Sequence, residues 1–252
     1  MKIDRVLFCL NNNKLYHGFW DVVSKVWSQK YGIKPVLFYV GSREEAESLG
    51  LENGHGEVHI LDSPSNVPTW AVPWSVFYGA ANFFPDEVCV TSGIDQIPLG
   101  NHIIDLASQY DEEDYLVAFA EAYRRSDLFP SSHHVAKGSA YKKVHNIGEN
   151  WEQEINKLSL CGTFWGVEEA YSSANLLVHK EDIKFPKDFF FKTWVAGRLE
   201  RVGPYPPKYD LAGLKNGIYT EYHCHRPYTE YSAGIDKVVS DLLEPVNSDD
   251  GE

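Results

Sequence analysis

The sequence predicts an α/β domain with a mostly parallel central sheet flanked by helices. Short apolar runs recur through the first hundred positions, segments of helical period separate them, and the links between are brief. Residues 6–10 form a continuous apolar run, as expected for a strand covered on both faces. Phe19, Val22, Val23, Val26 and Trp27 then fall at i, i+3, i+4, i+7 and i+8, one stripe of an amphipathic helix that Gly32 closes. Residues 35–40 read as a second buried strand, 43–49 as a short charged helix and 58–61 as a third strand. Residues 88–92 make a fourth, opened by Pro85-Asp86 and closed by Gly93. Strand–helix–strand units of this kind imply right-handed crossovers and a Rossmann-like half.

The second half is less regular. Residues 114–120 read as a strand, 101–108, 150–158 and 168–177 as helices, and 202–209, with Pro204, Pro206 and Pro207, as an ordered loop. Residues 1–246 are expected to form one domain and 247–252 an acidic, disordered tail.

Composition narrows the function. Hydrophobic residues at 43% and charged ones at 23% are globular values, and 252 residues suffice for a core without staples. Aromatics at 14% favour cores and pockets lined with flat rings. The formal charge of -13 repels phosphate backbones and anionic membranes, which excludes nucleic acid as a partner and obliges any anionic ligand to find a local cation. Cys9, Cys89, Cys161 and Cys224 are widely spaced with no CxxC, and read as reduced thiols. No leader-like segment precedes the first strand and no apolar run approaches roughly 18 residues. A soluble, cytoplasmic protein without a transmembrane segment is therefore expected.

Ligands of open α/β sheets bind at the carboxyl ends of the strands. Strand one ends at Asn11-Asn12-Asn13, followed by Tyr16; asparagine both donates and accepts, which suits a base or ribose and equally a helix cap. Just past strand four lies Asp95, placed either to hold a hard cation or to cap the helix near residue 101. Neither GxGxxG nor GxxxxGK occurs, which counts against the familiar dinucleotide and P-loop modes. In Glu221-Tyr222-His223-Cys224-His225-Arg226-Pro227, extended backbone would put both histidines on one face; one imidazole suits a metal and Arg226 a phosphate. His133-His134 point oppositely if in a strand and are read as structural. Glu168-Glu169, just after Trp165, is either a carboxylate pair with a raised pKa or two acids favoured by a helix dipole.

Taken in order, these pieces resemble the GT-A family of nucleotide-sugar glycosyltransferases, particularly small viral and bacterial members. Ser92-Gly93-Ile94-Asp95-Gln96-Ile97-Pro98-Leu99 is similar to the family's Ser-Asp-Ile-Asp-Met-Ile-Pro-Leu. Trp165-Gly166-Val167-Glu168-Glu169 is similar to its Trp-Gly-Thr-Asp-Glu, and residues 221–227 to its Asp-x-His-x-x-Arg-Pro. The likeness covers roughly residues 4–243. It implies a single GT-A domain that moves a sugar from a nucleotide-diphosphate sugar to a saccharide or protein acceptor, as in polysaccharide biosynthesis. Mn²⁺ or Mg²⁺ would stabilise the leaving diphosphate as a Lewis acid, and Asp95 and His223 match the metal-ligand positions.

The same likeness implies donor contacts at Asn11, Asn12, Tyr16, Ile94, Asp95, Trp165 and Arg226, with Asp62 after strand three as a further base contact. Glu168 or Glu169 is the implied base of an inverting reaction. One departure stands out: Gly93 occupies the place of a family acid. Either metal affinity falls, or Asp86 or Glu221 compensates, or catalysis is lost. Glu168 in place of Asp also moves a carboxylate by about 1.5 Å. Two rival readings follow: a non-catalytic sugar-nucleotide binder of the same fold, and a metal-dependent hydrolase using His223, His225 and carboxylates around zinc.

Overall fold

Alternation along the buried strands builds two cores, one on each face of the sheet. The computed structural model describes residues 1–63, 68–195 and 197–245, so the acidic segment 247–252 lies outside the described residues. In β1 (Arg5–Leu10), Val6, Phe8 and Leu10 join one cluster while Leu7 joins the other. The first cluster is covered by α1 (Phe19–Tyr31), whose predicted stripe is buried in full. Gly32, at φ 65°, ends α1: its N–H donates to the Ser28 carbonyl and that of Ile33 to Trp27. β2 (Lys34–Val40) repeats the alternation, with Leu37 and Tyr39 on the α1 side and Val36, Phe38 and Val40 on the other. α2 (Arg43–Ser48) opens with a capping box in which Ser42 Oγ accepts from Glu45 N–H and Glu45 accepts from Ser42 N–H. β3 (Glu57–Leu61) follows.

The opposite face is covered by α3 (Trp74–Phe83), for which no expectation was set. Trp74, Ser75, Val76, Phe77, Tyr78, Gly79, Ala80 and Ala81 are all buried, so α3 has no polar stripe to betray its period. β4 (Val88–Thr91) and β5 (Gln96–Pro98) come next, then α4 (His102–Ala107) and β6 (Tyr115–Val117). The strand predicted over 114–120 stops at Val117: the Ala118 N–H still bonds the His133 carbonyl, but His133 sits at φ 64° and the chain turns, with Ala122 N–H donating to the Phe119 carbonyl. β7 (His134–Lys137), α5 (Gly138–His145), α6 (Trp151–Ser159) and α7 (Val167–Val178) complete the second face. β8 (Ile183–Lys184), β9 (Arg198–Glu200), α8 (Leu211–Lys215), β10 (Glu221–His223) and α9 (Tyr228–Leu243) finish the order, with α9 packing on α1's side. Residues 202–209 hold neither helix nor strand, as the prolines require.

The main sheet has seven strands in the order β3-β2-β1-β4-β7-β6-β8. Its β3-β2-β1-β4 half is parallel, and β7 runs antiparallel to both its neighbours. A second sheet, β5-β10-β9, pairs Tyr222 with Ile97 and Leu199, and thereby ties the segment after β4 to the last quarter of the chain. The four cysteines are free thiols. Among the described residues no helix is long and apolar enough to cross a membrane.

Gly138 shows how closely α3 and α5 approach. A Cβ there would lie 2.1 Å from the Ala80 carbonyl oxygen and 2.2 Å from that of Phe84, both backbone atoms that cannot rotate away. Gly138→Ala is expected to cost about 1–3 kcal/mol through overpacking. Urea unfolding with an unchanged slope checks it; a variant as stable as the parent would mean the two helices separate freely.

Candidate active site

A cleft of about 560 Å³ opens at the carboxyl ends of β1 and β4, where an open parallel sheet leaves backbone and loops free to meet a ligand. The loop after β1 supplies Asn11 and Tyr16, and the β4–β5 link supplies Ile94, buried among the α1-side residues, and Asp95. The head of α7 contributes Trp165, Glu168 and Glu169, and the end of β10 brings His223 and Arg226. Two predicted residues lie elsewhere. Asn12 is exposed at a bend just past β1 and reaches Glu45 at 3.4 Å. Asp62 is exposed beyond β3, at the edge of the sheet and two strands from β1.

The cleft also gathers residues that no sequence expectation named, among them Tyr123, Ser131, Arg198 and Arg201. A lone arginine after a three-residue strand, or a tyrosine in an irregular segment, carries no readable spacing.

One wall is cationic. A single oxygen of buried Asp95, Oδ2, meets Arg201 Nη1 at 2.9 Å, His223 Nε2 at 3.5 Å and Arg226 Nε at 3.5 Å. Arg226 also donates to the Tyr16 hydroxyl and lies over its ring, 4.9 Å from the centroid. Behind this layer His223 Nδ1 meets Glu200 at 3.3 Å, and Arg198 joins Glu200 at 2.7 Å and Glu221 at 2.8 Å. Burial pushes Asp95 up, but the hydrogen bond and charge of His223 and the charges of Arg226 and Arg201 outweigh it and hold the carboxyl below its usual range. Burial likewise opposes charge on His223, and its hydrogen bonds to Asp95 and Glu200 win, raising the imidazole.

The carboxylates of α7 behave differently. Glu168 is 4% exposed, and its Oε2 has no hydrogen-bond partner among the described residues. Burial, then the neighbouring charge of Glu169, raise its pKa to about 7. A first-turn acid stabilised by the helix dipole would shift the other way. Glu169 accepts from Tyr123 Oη at 2.8 and 2.9 Å and from Ser131 N–H at 3.2 Å. Burial raises Glu169 too, against those hydrogen bonds. The pair thus divides into one carboxylate held by neighbouring side-chain and loop donors and one that backbone N–H groups hold at one end while Oε2 has no partner among the described residues.

The expected Mn²⁺ or Mg²⁺ between Asp95 and His223 does not fit this donor set. A divalent ion on Asp95 Oδ2 would share that oxygen with two guanidinium groups, each repelling it by several kcal/mol at an effective dielectric near ~20. The second acid is missing: Gly93 has no side chain, and its N–H donates to Gln96 Oε1 at 2.8 Å, the end of a flexible side chain that a larger residue at 93 would displace. Asp86 does not compensate, being exposed ahead of β4 at the other end of that strand. Glu221 does not either, since Arg198 and His133 hold it at 2.8 and 3.2 Å. Among the described residues no group of three His, Cys, Asp or Glu side chains is arranged to hold a metal. The zinc-hydrolase reading meets the same obstacle. His225 lies past the end of β10 and is engaged by the Tyr222 hydroxyl at 2.9 Å and the Gly203 carbonyl at 3.3 Å. His134 is structural as expected, held by Tyr115 and the Pro130 carbonyl, with burial pushing it down to about 4.

No family model matches the chain, and no curated protein matches it. Among solved structures it is similar to the glycosyltransferase GlyE of Streptococcus pneumoniae TIGR4, with 15% identity over 77% of this chain and 47% of that one, at a TM-score of 0.46. It is also similar to the apo structure of the bifunctional glycosyltransferase WbbM, with 8% identity over 96% of this chain and 52% of that one, at a TM-score of 0.46. The chain spans about half the length of these structures.

Proposed function

We propose that this chain is a glycosyltransferase of the GT-A type, moving a sugar from a nucleotide-diphosphate donor to a hydroxyl of a saccharide or protein acceptor, with inversion. The observation that carries the reading is the meeting, in one cleft, of a cationic wall around Asp95 and the buried carboxylate of Glu168, one oxygen of which has no partner among the described residues. The acceptor oxygen bonds to the anomeric carbon as the bond from that carbon to the phosphate oxygen breaks. The electron pair leaves with the nucleoside diphosphate, and the hydroxyl proton passes to Glu168. Arg201, Arg226 and His223 offset the charge growing on the leaving group, where preorganised donors act most strongly.

The other lining residues take compatible places. Asn11 and Tyr16 sit where a nucleoside would lie, at the end of β1. Trp165, 65% exposed at the rim, offers its indole face to a sugar ring. Glu169, fixed by Tyr123 and Ser131, is suited to hold sugar hydroxyls.

Incubation with UDP-, GDP- and dTDP-sugars, following release of free nucleoside diphosphate, tests the proposal. Release is expected from one donor class and should quicken with an acceptor. The second reading, a binder without turnover, is favoured by the missing acid at Gly93. A thermal shift with one nucleotide but no release under any acceptor would select it. Neither shift nor release with any nucleotide would remove both readings.

A further inference from the structure

We infer that the site holds its diphosphate without a divalent ion, using Arg201 and Arg226 aimed by Asp95. The inference rests on the glycosyl-transfer reading and specifies how that site meets the donor. Two guanidinium groups and an imidazole converge on one oxygen of Asp95, and with Glu200 taking the other face of the imidazole, one carboxylate is left to two arginines. Its contact with each guanidinium is through a single nitrogen: Nη1 of Arg201, and Nε of Arg226. A guanidinium has five N–H donors, and these two side chains stay 30% and 23% exposed where they line the cleft. The geometry leaves donors for a second, anionic partner, and the planar fork matches phosphate oxygens bidentately.

The two arginines come from different places, one just after β9 and the other after β10, and the small sheet brings them together. Tyr16 positions Arg226 from a third direction. In a chain of formal charge -13, the cleft sets Arg198, Arg201 and Arg226 against Asp95, Glu168 and Glu169, and two of the arginines gather on the single carboxylate of Asp95, where an anion finds donors. The side chains that would have built a cation site are absent or committed, as Gly93 and Asp95 show. Asp95 therefore acts as the positioning residue of an arginine pair.

Calorimetric titration tests this on protein dialysed against chelator and returned to chelator-free buffer, with UDP, GDP, dTDP and inorganic pyrophosphate, each with and without Mn²⁺. One nucleoside diphosphate is expected to bind with an affinity that Mn²⁺ changes by less than about threefold. Arg201→Ala and Arg226→Ala should each weaken it by about 10–100-fold, the effect of removing a charge-assisted hydrogen bond. Arg201→Lys and Arg226→Lys, which keep charge and fold but lose the fork, should each weaken it by about tenfold.

Binding that appears only with Mn²⁺ overturns the inference and leaves the transferase reading intact. Pyrophosphate held without metal, and no nucleoside diphosphate held at all, keeps the arginine site and removes the transferase reading. No binding in either buffer overturns both, as does unchanged affinity in the lysine variants for the inference alone.

Discussion

Glu168→Gln is expected to slow sugar transfer by about 10²–10⁴-fold while leaving nucleotide affinity within about twofold. Gln preserves the size and shape of the side chain at this buried place in the first turn of α7, but it cannot take a proton. The wild-type rate should also carry the group's signature. Burial and Glu169 raise Glu168 to about 7, so the ionised base is lost tenfold per pH unit below that point and saturates above it. That limb should vanish in the variant. Stability moves the opposite way. The folded state binds this proton more tightly than the unfolded chain, whose pKa is near the ordinary glutamate value, so stability falls as pH rises through about 7. Gln removes the loss, and the variant should melt higher than the parent at pH 8. Transfer at the parental rate, with the pH limb intact, would place the base elsewhere.

Trp74→Ala is expected to cost about 3–5 kcal/mol, the largest loss of stability from any single truncation argued from this fold. Trp74 is fully buried in α3, stacked on Phe77 at 5.1 Å, with Tyr171 and His145 at its edges at 5.1 and 5.7 Å. Its indole N–H donates to Glu154 Oε2 at 3.1 Å, and Glu154 is itself 3% exposed. Truncation opens a cavity under the sheet and orphans one oxygen of a buried carboxylate whose other oxygen serves Gly148 and Lys157. Urea denaturation should show the drop, together with a fall in melting temperature on the order of 10 °C. A loss under about 1 kcal/mol would mean the aromatic cluster closes over the gap.

Legibility followed the length and one-sidedness of each element. β1, β2, β4 and α1 were readable because their apolar period is long enough to be distinctive and their bounding residues, such as Gly32 and Pro85, have strong backbone preferences. α3 was not, because burial on all sides erases the period. α9 carries a helical stripe, at Ile235, Val238, Val239 and Leu242, that is legible by the same period. β5, β9 and β10 have three residues each and exist only through long-range pairing.

The candidate site divides in the same way. Asn11, Tyr16, Asp95, Trp165, Glu168, Glu169, His223 and Arg226 were found from strand ends and motif order, and the fold gathers them in one cleft. What surrounds Asp95 was hidden, because Arg201 arrives from 106 residues away and no local spacing announces it. Whether Asp95 is open to a cation is not legible locally: a carboxylate past a strand looks available until its tertiary partners are seen.

The small β5-β10-β9 sheet also sets a clock on the protein's birth. Asp95 leaves the ribosome 106 residues before Arg201, which at roughly 5–20 residues per second is an interval of about 5–20 s. Throughout it the segments of β1–β4 and α1 have already been synthesised, while the carboxylate is without its counter-charges. A nascent chain that has made most of its sheet is thus still blind to anions, and the pocket becomes competent only with the last strand to be synthesised.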